Sequence, residues 1–405
     1  MRIHHLSLVN FRNYTRLELG FSTPLTLIQG DNAQGKTNLL EAVYVLATSR
    51  SPKGASEREM VNWLALAEPI PYARLAAEVE RGGRRQRLEI VLAPQNGGEG
   101  NGPTFRKQVK VNGVAKRAMD LVGLLPVVLF APEDVELASG APAIRRRYLD
   151  VALCQMDGAY CRALAEYNRV LVQRSALLRH LREQGGSPEQ LRFWDERLVQ
   201  YGSVLLARRR DFIAALEKEA QPRLQALTEG RERLRFHYLP GVDLLRQTPA
   251  PPPSGGEDAA TAAMTVAEIA SLFGERLRAA RPREIAAGAC LYGPHRDDLR
   301  TLINGRDLRL YGSRAQQRTV ALTMKLAEMA VMSQALGEPP LLLLDDIMSE
   351  LDAKRRAALA AVLDGVPQAI CTTTDWADFT EALRTRARCL RVVEGRIEEP
   401  EGSLA

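Results

Sequence analysis

Residues 30–37 read Gly-Asp-Asn-Ala-Gln-Gly-Lys-Thr and decide the fold of this chain. They follow a short apolar run at 25–28, which predicts a buried strand, and precede a helical pattern from residue 37 to about residue 47. A G-x-x-x-x-G-K-[ST] sequence in that context is typical of a phosphate-binding loop. Gly30 and Gly35 let the backbone curl so that amide groups point at phosphate oxygens. The stretch therefore predicts an α/β fold with a nucleotide site.

The residues of this loop have expected roles at that site. Lys36 should reach the β- and γ-phosphates of a nucleoside triphosphate, and the Thr37 hydroxyl should bind Mg²⁺. The other residues expected to surround the phosphates are Gly30, Asp31, Asn32, Ala33, Gln34, Gly35 and Asn38.

A second part of the site is predicted at residues 341–346, where four leucines precede two aspartates. This is the form of a Walker B strand, in which Asp345 would hold Mg²⁺ through water and Asp346 would act as the general base or position the attacking water. We expect Asp346, Asp345 and Lys36 to be the catalytic residues. Two adjacent acids also predict one hindered ionisation. Because Lys36 and Asp345 are 309 positions apart, the site must combine opposite ends of the chain.

Two further segments flank the leucine run. The stretch 313–317 opens a predicted helix that starts at a serine, and such a helix N-terminus is a second phosphate-binding surface. One chain cannot easily place both surfaces on one nucleotide, so we expect this stretch of one subunit to cover the loop of another, giving an ATP-bridged, two-fold homodimer. The residues concerned are Ser313, Arg314, Ala315, Gln316 and Gln317, with Ser349 and Asp352 in the loop after residue 346.

The middle of the chain, from residue 143 to about residue 230, has a helical pattern. Apolar residues recur every seven positions from Leu149 to Leu177, and a second apolar face runs from Trp194 to Phe212. A Gly-Gly-Ser-Pro break at 185–188 lies between them. We therefore expect an antiparallel hairpin of two helices of roughly 35–40 residues each, the second ended or kinked by Pro222.

This helical region also carries the chain's excess of positive charge. Residues 143–235 contain 18 Arg or Lys against 12 Asp or Glu, and the whole chain has a net charge of +6. Two clusters are candidate contacts with a DNA phosphate backbone, and the alternative is a solvated helix face. They are Arg145, Arg146 and Arg147, and Arg208, Arg209 and Arg210.

Composition excludes several classes of protein. The 405 residues are 45% hydrophobic and 26% charged, which is ordinary for a globular protein and excludes collagen and low-complexity disorder. The five cysteines are scattered without a C-x-x-C pair, so a disulfide framework or a zinc site is not expected. We find neither an apolar run of membrane-span length nor an apolar stretch near Met1, and expect a cytoplasmic protein without a membrane partner.

The pattern predicts three segments along the chain. Residues 1–141 would form the N-terminal part of an ATPase head, including an antiparallel sheet at 72–115. Residues 142–235 would form the helical arm, and residues 236–405 the C-terminal part of the head. The Pro- and Gly-rich stretch 248–263 is expected to be a flexible insertion, and the chain from about Glu394 a frayed tail.

The order of these elements resembles that of an ABC-type ATPase head of the SMC kind. Shorter stretches narrow the resemblance to the RecF family: Asn-Phe-Arg-Asn-Tyr at 10–14, Leu-Leu-Glu-Ala at 39–42, Phe-Ala-Pro-Glu-Asp at 130–134, Arg-Arg-Arg-Tyr-Leu-Asp at 145–150, Gly-Pro-His-Arg-Asp-Asp-Leu at 293–299 and Gln-Gln-Arg-Thr at 316–319. The resemblance covers about residues 1–395, and the set of stretches in this order is highly specific.

The resemblance implies an α/β, ABC-type P-loop ATPase head assembled from both chain ends, with an inserted helical-hairpin arm. It implies that the protein binds Mg-ATP, dimerises on ATP, and binds duplex and gapped DNA without sequence preference, at single-strand gaps or stalled forks. It also implies that the protein acts with RecO and RecR to load RecA, so that all three are partners. Weak, DNA-stimulated ATP hydrolysis would then reset the dimer that clamps DNA.

Individual residues take expected roles from the same resemblance. Arg12 would lie near the nucleotide. Thr373 and Thr374 would occupy the switch position, where a hydroxyl senses the γ-phosphate but cannot act as a base at neutral pH. His295 and Arg296 would contact DNA or the partner head, or else form a hydrogen-bonded turn.

One residue departs from the family pattern. Ala315 replaces the glycine of the S-x-G-Q-Q signature and leaves less room for the backbone to approach a γ-phosphate. Two alternatives remain open from the residues. The first is an ABC-type ATPase of transport or translation, and the second is a DNA-binding scaffold with a vestigial ATP site.

Overall fold

The computed structural model describes residues 1–95, 104–242 and 264–399. The predicted insertion at 248–263 lies outside the described residues. The strands are β1 (Arg2–Phe11), β2 (Tyr14–Gly20), β3 (Leu25–Gln29), β4 (Ala73–Arg81), β5 (Arg84–Gln95), β6 (Thr104–Val111), β7 (Val114–Lys116), β8 (Val127–Phe130), β9 (Leu234–Leu239), β10 (Asp298–Ile303), β11 (Arg306–Asp307), β12 (Leu341–Asp345), β13 (Ala369–Thr373), β14 (Arg388–Val393) and β15 (Arg396–Glu398).

Helices connect most of these strands. The α-helices are α1 (Lys36–Thr48), α2 (Ala118–Leu121), α3 (Glu136–Ser139), α4 (Pro142–Met156), α5 (Gly158–Gln184), α6 (Arg192–Thr228), α7 (Val266–Ala287), α8 (Leu308–Tyr311), α9 (Arg314–Leu336), α10 (Ala353–Gly365) and α11 (Glu381–Arg386). None of the helices in the described part of the chain is long and apolar enough to cross a membrane.

Internal contacts divide the chain into two compact units. The head unit comprises Met1–Val135, Pro222–Arg231 and Arg318–Ala405, and the arm unit comprises Glu136–Gln221 and Glu232–Gln317. The predicted segments instead assigned everything after residue 235 to the head. The difference arises because α7 packs on α5 through buried side chains such as Arg174 and Glu284, so residues 232–317 share the core of the arm unit.

The central sheet of the head unit has the strand order β15-β14-β3-β13-β12-β8. The strands from β14 to β8 pair in parallel, and β15 is antiparallel to β14. The strand β12 is buried along its whole length, as expected for a strand covered on both faces. The carboxyl ends of β3, β12 and β13 therefore meet at one edge of the sheet, the edge at which open α/β sheets bind ligands.

A second, antiparallel sheet of the head unit has the order β2-β1-β4-β5-β6-β7. It contains the strands predicted at 72–115. Helix α1 contacts both sheets, and its Leu39 and Val43 belong to one apolar core with Ile3 of β1 and Leu341 of β12. Full burial of a side chain of this size contributes about 1.5–3 kcal/mol. The core thus fixes the helix that follows the 30–37 loop.

The arm unit contains α4 to α7 and the small sheet β11-β10-β9. The first predicted helix is interrupted at Asp157, whose side chain accepts hydrogen bonds from the amides of Ala159 and Tyr160 and caps α5. The prediction of one helix of roughly 35–40 residues was therefore wrong at this point, because an N-cap ends α4 and starts α5 with its own 27 residues. Helix α6 has 37 residues and continues through Pro222 to Thr228.

Candidate nucleotide-binding site

The loop at 30–37 has a backbone that requires glycine at two positions. Gly35 has φ 118°, and a Cβ built there would lie 2.5 Å from the side-chain Nδ2 of Asn13. A Cβ on Gly30 would lie 2.6 Å from the main-chain oxygen of Val392. The first turn of α1 starts directly after Gly35, and no side chain caps its amides. These amides are the donors that a phosphate group would accept from.

Lys36 is held across the loop by main-chain oxygens. Its Nζ donates to the carbonyl oxygens of Gly30 at 2.5 Å and Asp31 at 3.1 Å. Burial lowers the pKa of Lys36, whereas the charges of Asp346, Asp345 and Asp31 raise it. The ammonium is therefore near enough to the acids at the end of β12 to feel their charge, and has no direct carboxylate partner among the described contacts.

Thr37 and Asp345 meet although 308 positions separate them. The Thr37 hydroxyl donates to the Asp345 carboxylate at 3.0 Å, and Thr372 at the end of β13 donates to the same oxygen at 2.9 Å. Burial raises the pKa of Asp345, and these two hydrogen bonds lower it. The pairing joins the two predicted halves of the site at one edge of the sheet.

The donor set at this edge fits Mg²⁺. A hydroxyl and a carboxylate offer the oxygen ligands that Mg²⁺ prefers, and Mg²⁺ keeps several waters and binds substrate phosphates instead of an all-protein cage. No cluster of three His, Cys, Asp or Glu side chains that could hold a metal occurs in residues 1–95, 104–242 and 264–399. Thr37 and Asp345 are the residues that would hold the ion.

Asp346 differs from its neighbour in having a free carboxylate oxygen. Its amide donates to the Thr372 hydroxyl at 3.0 Å, its φ is 50°, and its buried Oδ1 has no hydrogen-bond partner. Burial raises the pKa of Asp346, and the charge of Lys36 lowers it. Ionisation is thus hindered at both acids, and burial is the main cause at each, whereas the sequence predicted it from their adjacency. An unpaired buried oxygen in a strained turn is typical of a functional group.

The sequence analysis did not assign the side chains that support the loop. Asn13 donates from Nδ2 to the Gln34 carbonyl at 2.8 Å and accepts from Nδ2 of Asn38 at 2.8 Å. The buried Tyr14 hydroxyl donates to the Gly35 carbonyl at 3.0 Å. Their signal was the Asn-Phe-Arg-Asn-Tyr stretch itself, which places polar side chains at the turn between β1 and β2.

The chain near its C-terminal end also supports the loop. The turn between β14 and β15 donates from the Glu394 amide to Oε1 of Gln34 at 2.6 Å and from the Gly395 amide to the Gln34 carbonyl at 3.0 Å. The prediction of a frayed tail from about Glu394 was wrong, because residues 388–398 form a hairpin that pairs with β3.

Arg12 lies beside the loop but is already paired. Its guanidinium donates to both carboxylate oxygens of the buried Glu41, at 2.8 and 2.7 Å, and to the Glu59 carbonyl at 2.7 Å. It lines a surface concavity of about 620 Å³ together with Lys53, Arg58 and the exposed Trp63. Arg12 is adjacent to Asn13, which contacts the loop, but its guanidinium pairs with Glu41 of α1. A contact between Arg12 and the nucleotide therefore remains a prediction.

The threonines at the end of β13 have different partners. Thr372, which was not assigned a role, is the one that contacts Asp345. The hydroxyl oxygen of Thr373 lies 2.8 Å from the Asp375 carbonyl and 2.7 Å from the Asp378 carboxylate, either of which can accept its one proton. Thr374 accepts from Gln29 through its carbonyl at 3.0 Å. We therefore regard Thr372 as a better candidate for sensing the metal side of the site than Thr373.

The predicted signature lies at the exposed start of α9, in the residues of that helix that belong to the arm unit. The Ser313 amide donates to Oε1 of Gln316 at 2.9 Å, and Ser313 Oγ accepts from the Gln316 amide at 3.2 Å, which caps α9. Ser313, Arg314 and Ala315 are exposed, and Gln317 is half-buried, with its side chain near the Gly312 carbonyl. The surface is therefore open to a ligand or to a second subunit.

The segment after β12 is anchored at both ends. Ser349 is exposed and donates from Oγ to the Asp346 carbonyl at 2.8 Å. Asp352 accepts from the Arg355 amide at 2.9 Å and caps α10. Both residues lie close in sequence to the acids of the site, as the pattern predicted.

Two of the arginines proposed to contact DNA are internal. Arg145 pairs with both oxygens of Asp298, at 2.7 and 3.1 Å. Arg209 is 2% exposed and donates to Asp150 at 2.7 Å and to Asp297 at 2.6 Å. Their proposed role in DNA contact is wrong, because carboxylates of the arm unit occupy their guanidinium groups inside the core.

The other members of the two clusters are accessible. Arg208 is exposed, and its guanidinium lies 3.2 Å from the Asp157 carboxylate. Arg146 is half-buried and donates to the Asp297 carbonyl at 2.8 Å, and Arg147 is also half-buried. Arg210 pairs with Asp211 at 2.8 Å. A DNA surface on this unit therefore cannot use each cluster as a block of three cations.

His295 belongs to a structural turn. Its Nδ1 is 2.7 Å from the Tyr167 hydroxyl, and its Nε2 is 3.2 Å from the Cys290 carbonyl. Burial lowers the pKa of His295 to about 4, helped by the positive charges of Arg296, Arg146 and Arg174. The ring is neutral at neutral pH, which favours the hydrogen-bonded turn over a phosphate contact, whereas Arg296 is exposed.

Comparison with known proteins agrees with this geometry. Residues 2–396 match the family model described as the RecF/RecN/SMC N terminal domain. The proteins named DNA replication and repair protein RecF from Chloroflexus aurantiacus and Oceanobacillus iheyensis are 42% and 36% identical, over 98% of this chain and 99% of each relative.

Solved structures give the same result. The structure described as the recombination mediator protein RecF-ATPrS in the RecFOR pathway has a TM-score of 0.82 and 30% identity, and covers 98% of both chains. The Smc head domain from Pyrococcus furiosus, at 14% identity and a TM-score of 0.50, shares the fold. These similarities confirm the predicted class, an α/β ABC-type head built from both chain ends. The chain belongs to the RecF family within the RecF/RecN/SMC proteins.

Proposed function

We propose that this protein is an ATP-controlled DNA-binding protein of replication and repair. ATP would bind at the 30–38 loop, two chains would dimerise around two nucleotides, and the dimer would bind DNA at single-strand gaps or stalled forks. The observation that carries the proposal is the 3.0 Å hydrogen bond between Thr37 and Asp345, since it assembles a complete phosphate and metal site from opposite ends of the chain.

The residues of the site suggest how hydrolysis proceeds. The α1 amides and Lys36 would bind the β- and γ-phosphates, and Thr37 and Asp345 would hold Mg²⁺, which neutralises charge on the transferred phosphoryl group. The unpaired Oδ1 of Asp346 is available to accept a proton from the attacking water. An aspartate reaches one methylene less far than a glutamate, which supports slow intrinsic hydrolysis. Stimulation by DNA, and a role of hydrolysis in resetting the dimer, are proposed from the family.

The exposed start of α9 supports an ATP-bridged dimer. Ser313 would approach the γ-phosphate held by the partner subunit, since its helix N-terminus adds positive potential there. A Ser313→Arg variant should lose ATP-dependent dimerisation, measured by light scattering, while one subunit still binds ATP with nearly wild-type affinity. The exposed Arg309→Glu variant at the preceding helix is the matched control for added or reversed charge. Loss of ATP binding itself in Ser313→Arg would contradict a contact in trans.

The DNA contact and the protein partners follow from the family. Lys and Arg contacts to phosphates give sequence-independent and salt-dependent binding. The solved relatives are described within the RecFOR pathway, which supports RecO and RecR as partners in loading RecA.

Replacement of the loop lysine tests the coupling of ATP to DNA binding. A Lys36→Arg variant should bind a gapped duplex no more tightly with Mg-ATP than without it, because the longer guanidinium cannot take the place of the buried ammonium. Lys354→Arg makes the same exchange at an exposed lysine paired with Glu229 and should behave as wild type. If Lys36→Arg keeps wild-type DNA binding at every ATP concentration, the nucleotide does not control DNA binding.

A further inference from the structure

A cluster of three charged side chains lies in the head unit, apart from the residues assigned to the nucleotide. Lys325 and Glu328 come from α9, and Asp134 comes from the turn that follows β8. The Nζ of Lys325 is 2.7 Å from the carboxylate of Glu328, and their side chains are only 8% and 3% exposed. Charged side chains are rarely buried unless they are paired, and here the lysine is buried together with a carboxylate partner.

Two members of the cluster, Asp134 and Lys325, line a small cavity. The cavity has a volume of about 30 Å³, and its wall includes Phe130, Asp134, Arg318, Lys325 and Glu350. That volume is sufficient for a water molecule that could bridge polar groups. Three segments meet there: the turn after β8, the helix α9, and the segment that follows β12.

The charges of the cluster depend on Lys325. Burial raises the pKa of Asp134 and of Glu328, and Lys325 lowers both. Burial alone would lower the pKa of Lys325, but the charges of Glu328 and Asp134 together raise it by more. The pKa is therefore raised, and the lysine stays protonated. Lys325 and Asp134 line the same cavity, and the ammonium attracts the carboxyl groups of both Glu328 and Asp134, so its loss would remove the attraction between the turn after β8 and α9.

Both attached segments carry groups of the nucleotide site. Glu133 precedes Asp134, is exposed, and lies close enough to Asp345 for its charge to raise the pKa of that acid. The Asp134 carboxylate accepts from the Ala131 amide at 2.8 Å and so closes the turn that carries Glu133. The 347–351 segment follows Asp346 directly, and Glu350 pairs with Arg318 of α9 at 3.5 Å.

We propose that Lys325 is a positioning residue for ATP hydrolysis. It attaches the turn at 131–135 to α9 through Asp134, and thereby holds Glu133 beside Asp345. It also lines the cavity whose wall includes Glu350 and Leu351, and so supports the 347–351 segment behind Asp346. Lys325 touches no substrate and acts through these two segments. This inference rests on the proposed function, because it requires that the site hydrolyse ATP.

The proposal is tested on the full-length protein with two measurements. The first is the split between the ATP dissociation constant and kcat, and the second is amide hydrogen exchange of the nucleotide-free protein. Asp134→Asn keeps an oxygen for the Ala131 amide but removes the charge that Lys325 attracts. We expect kcat to fall about ten-fold with the ATP dissociation constant changed less than about two-fold, and exchange to speed up in 131–135 and in 347–351.

Lys325→Met should give the same pattern more strongly if it folds. Glu328→Gln should leave both measurements near wild type, because Lys325 keeps Asp134 as its partner. The matched control is Glu338→Gln, which breaks a 2.9 Å ion pair with Arg81 in the same unit, away from the cavity, and should leave kcat and exchange in the two segments unchanged.

Two results would overturn the proposal. One is wild-type kcat and wild-type exchange in Asp134→Asn. The other is a parallel loss of ATP affinity, kcat and melting temperature, which would make the cluster a general support of the fold. If the wild-type protein itself hydrolyses no ATP, the proposed function fails, and the exchange measurement still decides whether the cluster fixes the two segments.

Discussion

Buried charges at the nucleotide site of the head unit and in the core of the arm unit are treated differently by the fold. In the head unit, the Lys36 ammonium bonds main-chain carbonyls only, and the buried Oδ1 of Asp346 has no hydrogen-bond partner. In the arm unit, Arg174 pairs with Asp195 at 2.7 Å and with Glu284 at 2.6 Å. Buried polar groups that lack hydrogen-bond partners are typical of ligand-binding sites, whereas fully paired buried charges stabilise the fold.

The ion pairs and hydrogen bonds of Arg209 connect several elements of the arm unit. Arg209 donates to Asp150, Asp297, the Tyr160 hydroxyl and the Pro294 carbonyl, and so joins α4, α5 and α6 to the turn before β10. The Gly-Pro-His-Arg-Asp-Asp stretch at 293–298 is therefore the centre of the arm core. A residue pattern that resembles a family hallmark serves stability here.

The largest effect expected from this comparison is on arm stability. Arg209→Met should lower the free energy of unfolding by about 3–5 kcal/mol, because Asp150 and Asp297 would be left buried without a cation. Urea denaturation followed by the fluorescence of Trp194, which lies in α6, measures this. Arg208→Met is the matched control on the exposed face and should change stability by less than about 0.5 kcal/mol. Equal effects would show that both arginines lie at the surface.

The opposite pattern is expected at the head site. Asp346→Asn should lower ATP hydrolysis about 10²–10⁴-fold, because it removes the carboxylate that we propose as the proton acceptor. It should change the free energy of unfolding little, since the buried Oδ1 that is altered has no hydrogen-bond partner to lose. Steady-state hydrolysis and denaturant titration of the same preparation give both values. A stability loss comparable with that of Arg209→Met would mean that Asp346 is a structural residue.

Acid should weaken the arm through His295. Its pKa is about 4 in the folded protein, against 6.5 for an unperturbed histidine side chain. As the pH falls, the unfolded chain therefore binds a proton before the folded protein does. Stability is complete above pH 6.5 and is lost as the pH falls towards 4, and this one group should cost about 2 kcal/mol between roughly pH 7 and pH 5. His295→Gln should flatten this part of the pH profile of unfolding. A profile identical to wild type would assign the acid sensitivity to other groups.

The smallest expected effect concerns the support of the loop. Tyr14→Phe removes the hydroxyl that donates to the Gly35 carbonyl at 3.0 Å, which should cost about 1 kcal/mol and weaken ATP binding about five-fold. Equilibrium titration with ATP measures the change. Tyr72→Phe, at an exposed tyrosine of the same unit, should bind as wild type. Unchanged binding in Tyr14→Phe would assign the control of loop geometry to Asn13 and the Glu394 turn.

The sequence predicted the head site well because its signals are local. A strand, a glycine-rich turn and a helix start are each encoded within a few residues, and the apolar run before Asp345 is equally short-range. The partner of Asp345 at the end of β13 could not be predicted, since the pairing of β12 with β13 is a property of the sheet. The same holds for the contact of the Glu394 turn with Gln34.

The arm shows where local patterns were misread. Arg208, Arg209 and Arg210 are adjacent in sequence, but a helix turns by about 100° per residue, so they cannot share one face. Arg209 is four residues after Leu205 and three before Phe212, which places it on the apolar face that the sequence had already identified. Arg145 is likewise four residues before Leu149. Helical spacing would have separated buried from exposed arginines.

The most direct test is fluorescence anisotropy of a labelled gapped duplex titrated with protein, with and without Mg-ATP, at two salt concentrations. The account predicts binding that requires Mg-ATP and weakens steeply as salt rises, because nucleotide closes the dimer and cations contact phosphates. Binding that is indifferent to ATP would contradict it, since the incompletely paired charges of the head site would then have no part in DNA binding.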